Sequence, residues 1–258
     1  MARDILLIGT GNVATHLAKA LSSRIMAVIS RDVKHAKALA AANSIPACGS
    51  ISNASAYNPQ FVIISVADNA VPELVKTIGK MPGEPLVVHT SGTLPKEILL
   101  PMSPRTGVLY PLMTFSKLKA VAMSTVPFFT ETALESDRVI LDTYARLLSS
   151  KIQHADIDQR KQLHIAGVLS CNFTVALLEM TDELLKDNGY TLDTVRPLVM
   201  ETVDKAFTMG PHMAMTGPAK RGDKDVIRQQ EESLDLDLQP IYEILTDYII
   251  RKHRVELK

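Results

Sequence analysis

The chain has 258 residues, of which 46% are hydrophobic and 22% are charged, and its formal net charge is zero. This length favours two domains, and the balanced charge gives no argument for binding nucleic acid or an anionic membrane. The two cysteines, Cys48 and Cys171, fit no metal-binding or redox spacing, so we expect two reduced, buried thiols and no metal site.

Short apolar runs alternate with helical patterns over the first half of the chain. Continuous runs of Val, Ile and Leu indicate strands that are covered on both faces, as in a parallel sheet. The pattern therefore predicts an α/β fold with a doubly wound, mostly parallel sheet. Strands are predicted at 4–9, 25–30, 61–66, 85–90, 107–110, 126–131 and 151–155, and helices at 12–21, 33–43, 70–79 and 133–148.

The second half of the chain contains no strand pattern after about residue 156 and is predicted to be all-helical. We therefore divide the chain into an α/β domain, 1–155, and a helical domain, 156–258. The uncharged segment Leu163–Leu178 is shorter than the roughly 18–20 residues of a membrane span, so we expect a buried helix of a soluble protein. The helices are predicted at 158–187, 193–209, 224–234 and 239–252.

A glycine motif follows the first predicted strand and opens the first helix. Gly9 permits a sharp turn, Gly11 lets the backbone approach a diphosphate closely, and Ala14 lets the helix pack on the strand. This G-x-G-x-x-A pattern between a strand and a helix predicts a dinucleotide-binding Rossmann domain, against the alternative of a bare structural turn. The residues predicted to contact the cofactor here are Gly9, Thr10, Gly11, Asn12 and Val13.

The end of the second strand bears on the choice between NAD and NADP. Sites that prefer NAD place an acidic residue there to bind the ribose hydroxyls, whereas this chain has Ser30 followed by Arg31. A hydroxyl and a guanidinium suit the 2′-phosphate of NADP, and Asp32 is expected to cap the next helix instead. We predict NADP as the cofactor; the alternative makes Arg31 an ordinary solvated residue.

Two further loops follow strand ends, where ligands bind in open α/β sheets. Ser65, Val66 and Asp68 follow one strand and are predicted to contact the cofactor. His89 and Ser91 follow the next and are candidates for polarising the substrate or transferring a proton. The alternative for His89 is a core histidine whose nitrogens are already hydrogen-bonded.

These motifs resemble a known group of proteins. GTGNVA, SVAD and HTSG resemble the Rossmann domain of NADP-dependent reductases, which include pyrroline-carboxylate reductase and deazaflavin-dependent NADP oxidoreductases. The whole chain is similar to a bacterial group with a Rossmann-like domain and a helical domain of unknown function, through HTSGT, YPLMTF, HIAGVLSCNF and TGPAKRGD. The resemblance implies a nicotinamide cofactor and a homodimer formed through the helical domain, but it implies no particular substrate.

The helical half supplies three more candidate catalytic residues. His164 lies two helical turns before Asn172, so both share one face of the predicted helix with Lys161. A buried Asn172 amide needs partners, which either a substrate or a neighbouring helix of a dimer could supply. Arg221 could bind a substrate carboxylate, or it could form an ion pair with Asp223. Asp223 could instead cap the helix that follows.

Together these patterns predict a cytoplasmic, NADP-dependent oxidoreductase without a signal peptide, a membrane partner or a nucleic-acid partner. It would transfer a hydride between the nicotinamide and a small C=O or C=N substrate at the cleft between the domains. Two alternatives stay open: a non-catalytic NADP-binding sensor or scaffold dimer, and a deazaflavin-linked NADP oxidoreductase.

Overall fold

One eight-stranded sheet organises the first of two compact units, residues 1–172; the second unit comprises residues 173–258. The structure is a computed structural model, and it describes residues 3–253. The strands are β1 (Ile5–Ile8), β2 (Ile25–Ile29), β3 (Ala47–Gly49), β4 (Phe61–Ile64), β5 (Leu86–His89), β6 (Thr106–Pro111), β7 (Phe128–Thr132) and β8 (Ile152–His154).

The strand order is β3-β2-β1-β4-β5-β6-β7-β8, and neighbours are parallel from β3 through β6. Strand β7 runs antiparallel to β6, and β8 runs parallel to β7. The order of the strands reverses between β1 and β4, which opens a crevice at the carboxyl ends of these two strands. The predicted α/β fold with a mostly parallel, doubly wound sheet is confirmed.

Four helices cover the sheet and separate the apolar residues into layers on its two faces. Ile5 and Leu7 of β1 belong to one buried cluster, while Leu6 and Ile8 belong to another, because successive side chains of a strand point to opposite faces. All four are fully buried. The helices are α1 (Asn12–Ala20), α2 (Val33–Ala42), α3 (Val71–Ile78) and α4 (Glu135–Arg146).

The rest of the chain is helical, as predicted. Helix α5 (Ile157–Gly167), a π-type turn (Val168–Asn172) and α6 (Phe173–Asp187) run without interruption, and the boundary between the units falls inside this long helix. The predicted domain boundary after residue 155 remains a prediction. The further helices are α7 (Arg196–Met209), α8 (Pro211–Ala214), α9 (Pro218–Arg221), α10 (Lys224–Glu232) and α11 (Gln239–His253).

Two expectations about burial are wrong. Cys48 is half-buried against the core and Cys171 is exposed, so neither thiol is fully buried. The helix over Ile157–Asp187 is long and apolar enough to cross a membrane by length and composition, with a mean hydropathy of 1.5, yet none of that apolar window is buried. A single such helix is weak support for a membrane span. Its exposed apolar surface nevertheless needs an explanation, because the sequence predicts a buried helix here.

Candidate functional site

A cleft of about 990 Å³ opens at the carboxyl ends of the parallel strands, at the crevice where the strand order reverses. The structure brings all ten residues predicted for the cofactor onto its wall. That these residues contact a cofactor remains a prediction. That they meet on one wall of the cleft is a feature of the structure itself. These ten residues are Gly9, Thr10, Gly11, Asn12, Val13, Ser30, Arg31, Ser65, Val66 and Asp68.

Gly9 lies where the ends of β1 and β4 come close together. Its φ is +123°, and a Cβ atom built on it would lie 2.0 Å from the carbonyl oxygen of Ser65. Both observations exclude a side chain, so glycine is required here by the packing of β1 on β4 as well as by the turn. The Gly9 N–H donates to the carbonyl of Ile29 at 2.8 Å, which ties the turn to β2.

Gly11 has the opposite environment. A Cβ atom there would meet nothing within 4 Å, and its φ of −74° suits any residue. Gly11 is the N-cap of α1, and no side chain caps this helix, so the first N–H groups of α1 point into the cleft without a side-chain acceptor. Ala14 is fully buried, which lets α1 pack closely on the sheet. The empty space and the uncapped helix end fit a nucleotide diphosphate.

The far end of the cleft carries positive and hydroxyl groups. Ser30 Oγ lies 3.3 Å from Thr10 Oγ1, and Arg31 is exposed on the wall. Asp32 caps α2 by accepting from the Lys34 N–H at 2.8 Å, which confirms the predicted cap. His35 also lines the cleft, four residues after Arg31. Our sequence analysis missed His35, although this spacing was a signal that could have found it.

A carboxylate joins the two loops that follow β4 and β5. Asp68 Oδ2 accepts hydrogen bonds from Ser91 Oγ and Thr93 Oγ1, both at 2.6 Å. Ser91 Oγ also accepts from the N–H groups of Thr93 and Leu94, at 3.0 and 3.1 Å. The hydroxyl of Ser91 is thus fully engaged inside the loop, and this geometry favours a structural role for Ser91 over the predicted proton transfer.

His89 is a buried residue with both ring nitrogens engaged. Its Nδ1 accepts from the Ser91 N–H at 3.2 Å, so Nε2 carries the hydrogen and donates to the Pro95 carbonyl at 3.4 Å. Burial, helped by the positive charge of Arg160, lowers the pKa of His89 to about 4. The ring is neutral near pH 7 and 1% exposed, so the geometry favours the alternative of a satisfied core histidine.

A buried arginine holds the same loop from the other side. Arg160 of α5 is fully buried, and its guanidinium contacts the carboxylate of Glu131 and the carbonyls of Leu94 and Ala155, the latter two at 2.9 and 3.1 Å. Lys96 Nζ bonds the second oxygen of Glu131 at 2.5 Å. Our sequence analysis did not find this network, because a basic residue in the first turn of a helix usually faces solvent.

One pair of side chains joins β6 to α5. The hydroxyl of Tyr110 lies 3.3 Å from Nδ1 of His164, and the tyrosine ring packs directly on Gly92. Burial, followed by the negative charge of Asp68, raises the pKa of Tyr110. The sequence analysis predicted His164 but not its partner Tyr110. Tyr110 is the first residue of YPLMTF, one of the motifs that carry the family resemblance.

The last two predicted catalytic residues are Asn172, at the end of the first unit, and Arg221, in the second unit. Asn172 ends the π-type turn and is exposed, so the expectation of a buried amide is wrong. Arg221 bonds Asp223 through Nε and Nη2, at 2.9 and 2.7 Å. Asp223 occupies the N-cap position of α10, but its side chain makes no cap hydrogen bond. Of the alternatives left open, pairing between Arg221 and Asp223 is therefore the one in the structure, and the predicted TGPAKRGD loop contains the short helix α9.

The sheet topology and the glycine turn define the class of the first unit as a Rossmann-like domain, and this domain is followed by helices. Two family models match the chain: "Rossmann-like domain" over residues 2–114 and "Domain of unknown function (DUF2520)" over residues 126–249. No protein of curated function shows significant sequence similarity.

Solved structures identify the family. The chain belongs to the family of a proposed NADP oxidoreductase, BF3122 from Bacteroides fragilis, which is 37% identical over 96% of this chain and 97% of that one, with a TM-score of 0.87. This confirms the resemblance expected from the sequence. An imine reductase from Streptomyces aurantiacus (16% identity, 97% and 94% covered, TM-score 0.68) and a pyrroline-5-carboxylate reductase from Coxiella burnetii (15%, 98% and 97%, 0.59) share the fold.

Proposed function

We propose that the protein is an NADP-dependent reductase that transfers a hydride between the nicotinamide and a small C=O or C=N substrate. The observation that carries this proposal is the open space at Gly11, where the uncapped start of α1 faces a cleft of about 990 Å³. The family relative from Bacteroides fragilis supports it, because that protein is named for NADP oxidoreduction. The imine and pyrroline-carboxylate reductases that share the fold support a C=N acceptor as well as a C=O acceptor.

The diphosphate would lie against the first turn of α1. The N–H groups there have no side-chain acceptor, and the positive end of the helix dipole favours an anion. Gly11 adds no side chain to the approach, and Ala14 keeps the helix close to the sheet. When bound, the reduced nicotinamide supplies the hydride, while the chain orients it and excludes water.

The 2′-phosphate of NADP would lie near Arg31 and His35. Arg31 makes no ion pair among residues 3–253, so its guanidinium is available to a phosphate. The nearby carboxylate of Asp32 is occupied by the N–H of Lys34 and lies 3.6 Å from Nδ1 of His35. We therefore assign Asp32 to the capping of α2 rather than to the ribose hydroxyls that NAD would present.

The five predicted catalytic residues differ in what they could contribute. His164 keeps an exposed imidazole, whereas His89 and Ser91 hold the loop after β5 in shape. Substrate contact by Asn172 or by Arg221 remains a prediction, as does a cytoplasmic location. The fixed loop is itself useful for catalysis, since a positioned polar wall favours a single orientation of the ring and acceptor.

We also propose that the helical unit forms a homodimer. Among residues 173–253, the buried ones are Ala214 and Thr246, so this unit has almost no core of its own. Two apolar stripes at helical spacing are exposed instead. The stripe on α6 comprises Phe173, Leu177 and Leu184, and the stripe on α7 comprises Met200, Val203 and Phe207. A second copy of the chain is the partner we propose for them.

Titration with NADPH and NADH, followed by fluorescence, tests the cofactor assignment. Arg31→Ala should weaken NADPH binding by roughly 1.5–3 kcal/mol, the scale of a hydrogen bond to a charged group, and leave NADH binding nearly unchanged. Lys37→Ala is the matched control, because Lys37 lies on α2, the helix that follows Arg31, and outside the cleft wall. Equal affinity for both nucleotides in the wild type would contradict the role of Arg31.

Consumption of bound NADPH tests the reaction. The wild-type protein is incubated with cyclic imines, oxoacids, aldehydes and a deazaflavin, and oxidation of NADPH is followed by its absorbance. We expect turnover with a C=N or C=O compound. Binding of NADPH without oxidation by any of these acceptors would contradict a reductase and favour an NADP-binding sensor. Oxidation by the deazaflavin alone would favour the deazaflavin-linked alternative.

A further inference from the structure

The pair formed by Tyr110 and His164 is not used by any step above. Among residues 3–253, Nδ1 of His164 is the hydrogen-bond partner of the phenolic oxygen, at 3.3 Å, and the ring centroids lie 6.4 Å apart with planes tilted by 56°. The two residues come from β6 and α5, 54 positions apart in the chain, so the contact is created by the fold of the first unit.

The phenol packs against Gly92 of the loop after β5, and this loop reaches the cleft at Thr90. A Cβ atom at Gly92 would lie 2.7 Å from Cζ of Tyr110 and 3.1 Å from its hydroxyl oxygen, so the tyrosine rests on bare backbone. Gly92 is two residues after Thr90, which lines the cleft, and the charge of Asp68 on the same wall acts on the phenol. A substrate held near Thr90 and Asp68 would therefore lie close to the hydroxyl of Tyr110.

Tyr110 and His164 differ in their exposure to water and therefore in how each can exchange a proton. Burial and the charge of Asp68 raise the pKa of Tyr110, so the phenol keeps its proton at neutral pH. The ring of Tyr110 is 8% exposed and exchanges poorly with solvent by itself, whereas His164 is exposed. Because Nδ1 faces the phenol, the other ring nitrogen of His164 is left to exchange protons with water.

We propose that Tyr110 is the catalytic proton donor of this reductase and that His164 returns the proton to it. The inference rests on the proposed function. When bound, the reduced nicotinamide would supply the hydride for the new C–H bond, as the π bond of the C=O or C=N group breaks. The oxygen or nitrogen takes the Tyr110 proton, and the phenolate takes a proton from Nδ1 of a protonated His164, which water recharges. The acceptor is reduced and the nicotinamide oxidised, so electrons and protons balance.

The hydrogen bond itself is tested without any turnover. The ¹⁵N resonances of the His164 ring, assigned by comparison with His164→Gln, are recorded for the NADPH-bound protein at one fixed pH. We expect Tyr110→Phe to shift the Nδ1 resonance of His164, because the hydrogen bond to the phenol is lost, while Tyr190→Phe, an exposed tyrosine of the second unit, leaves it in place. An unchanged Nδ1 resonance in Tyr110→Phe would overturn the relay whatever the enzyme's activity.

Kinetics then test the roles with the best acceptor. Tyr110→Phe should lower kcat by about 100-fold or more, the usual contribution of a general acid, with NADPH binding unchanged. His164→Ala should lower kcat by about tenfold, and imidazole in the buffer should restore it, which a merely structural loss would not allow. Full kcat in Tyr110→Phe, or a loss in His164→Ala that imidazole does not restore, would overturn the relay alone. A wild-type protein that reduces no acceptor would contradict the proposed function, and the relay with it.

Discussion

The two units of this chain bury their apolar residues in different ways. In the first unit, strands with fully buried side chains on both faces are enclosed by helices of the same unit. In the second, large apolar side chains are exposed, such as Phe207 of α7 at 89% and Leu236 of the turn before α11 at 86%. The first unit therefore carries its own stability, whereas the second needs another surface to cover its stripes. The difference teaches that a helical domain can specify its helices without specifying a closed core.

Charged residues follow the same division. The first unit contains ion pairs with a largely buried member, such as Asp137 with Arg105 at 2.6 Å and Glu131 with Arg160. Ion pairs in the second unit lie at the surface, as in Arg228 with Asp225. Breaking a buried pair leaves a charge without compensation, while breaking an exposed pair changes little. Substitutions that break the buried ion pairs of the first unit should therefore be costly, and those that break the surface pairs of the second should be mild.

The largest effect is expected at Gly9. Gly9→Ala would force a Cβ atom against the Ser65 carbonyl at a φ of +123°, and the backbone cannot yield without separating β1 from β4. We expect a loss of at least about 4 kcal/mol in the free energy of unfolding, measured with urea. Gly11→Ala is the matched control, because the space there is open; its stability should change by less than about 1 kcal/mol while NADPH binding weakens at least tenfold. Equal destabilisation by both would contradict the different roles of the two glycines.

The next effect concerns acid stability of the first unit. The folded pKa of His89 is about 4 against an ordinary 6.5, so the unfolded chain binds a proton over this interval that the folded chain does not. Stability should therefore fall as the pH falls from 6.5 to about 4, by roughly 3 kcal/mol from this residue, and this contribution should level off below that pH. Urea unfolding of His89→Gln should lose this part of the slope, whereas His35→Gln should keep it. The same slope in His89→Gln and the wild type would exclude His89 as its source.

A smaller effect tests the partner surface of the second unit. Phe207→Glu places a charge in the stripe on α7 and should weaken self-association by about 2 kcal/mol, measured by sedimentation equilibrium. Leu118→Glu, at a position that is 99% exposed in the first unit, should leave the association unchanged. A wild-type protein that is monomeric at micromolar concentration would contradict the homodimer and leave the stripes to another partner.

The smallest effect is expected at Arg221 and Asp223. Their side chains are 62% and 36% exposed, and pairs of this kind contribute about 0–1 kcal/mol. Asp223→Asn should lower the free energy of unfolding by no more than this and leave the kinetics with the best acceptor unchanged. If the KM for an acidic substrate changed strongly in Asp223→Asn, with kcat and stability preserved, the pair would be part of substrate recognition rather than of the local fold.

The sequence predicts the sheet well where long apolar runs exist, and less well elsewhere. Strand β3 was missed because its three residues, Ala47–Gly49, form a short edge strand without an apolar run. The antiparallel direction of β7 has no signature in an apolar pattern, since the pattern is the same in both directions. The glycine turn was predictable because one local motif contains the strand end, the turn and the helix start.

The residues of the candidate site also differ in how well the sequence predicts them. The ten predicted residues of the cleft wall follow strand ends, and position in the chain was sufficient to predict them, whereas His35 lies within α2 and was missed. The buried Arg160, and the bond between Tyr110 and His164, depend on contacts between distant segments. Likewise, the engagement of both nitrogens of His89 depends on how its own loop turns back to Pro95. Spacing alone could not tell these satisfied or paired groups from free ones.

The central claim is that the cleft holds the diphosphate of NADPH at the start of α1. Backbone amide NMR of the ¹⁵N-labelled protein during NADPH addition tests it most directly. The account predicts saturable binding in which the N–H resonances of Gly11, Asn12 and Val13 shift strongly downfield, as expected for new hydrogen bonds to an anion. Saturable binding that leaves these three amides in place, or no binding of NADPH at all, would contradict it.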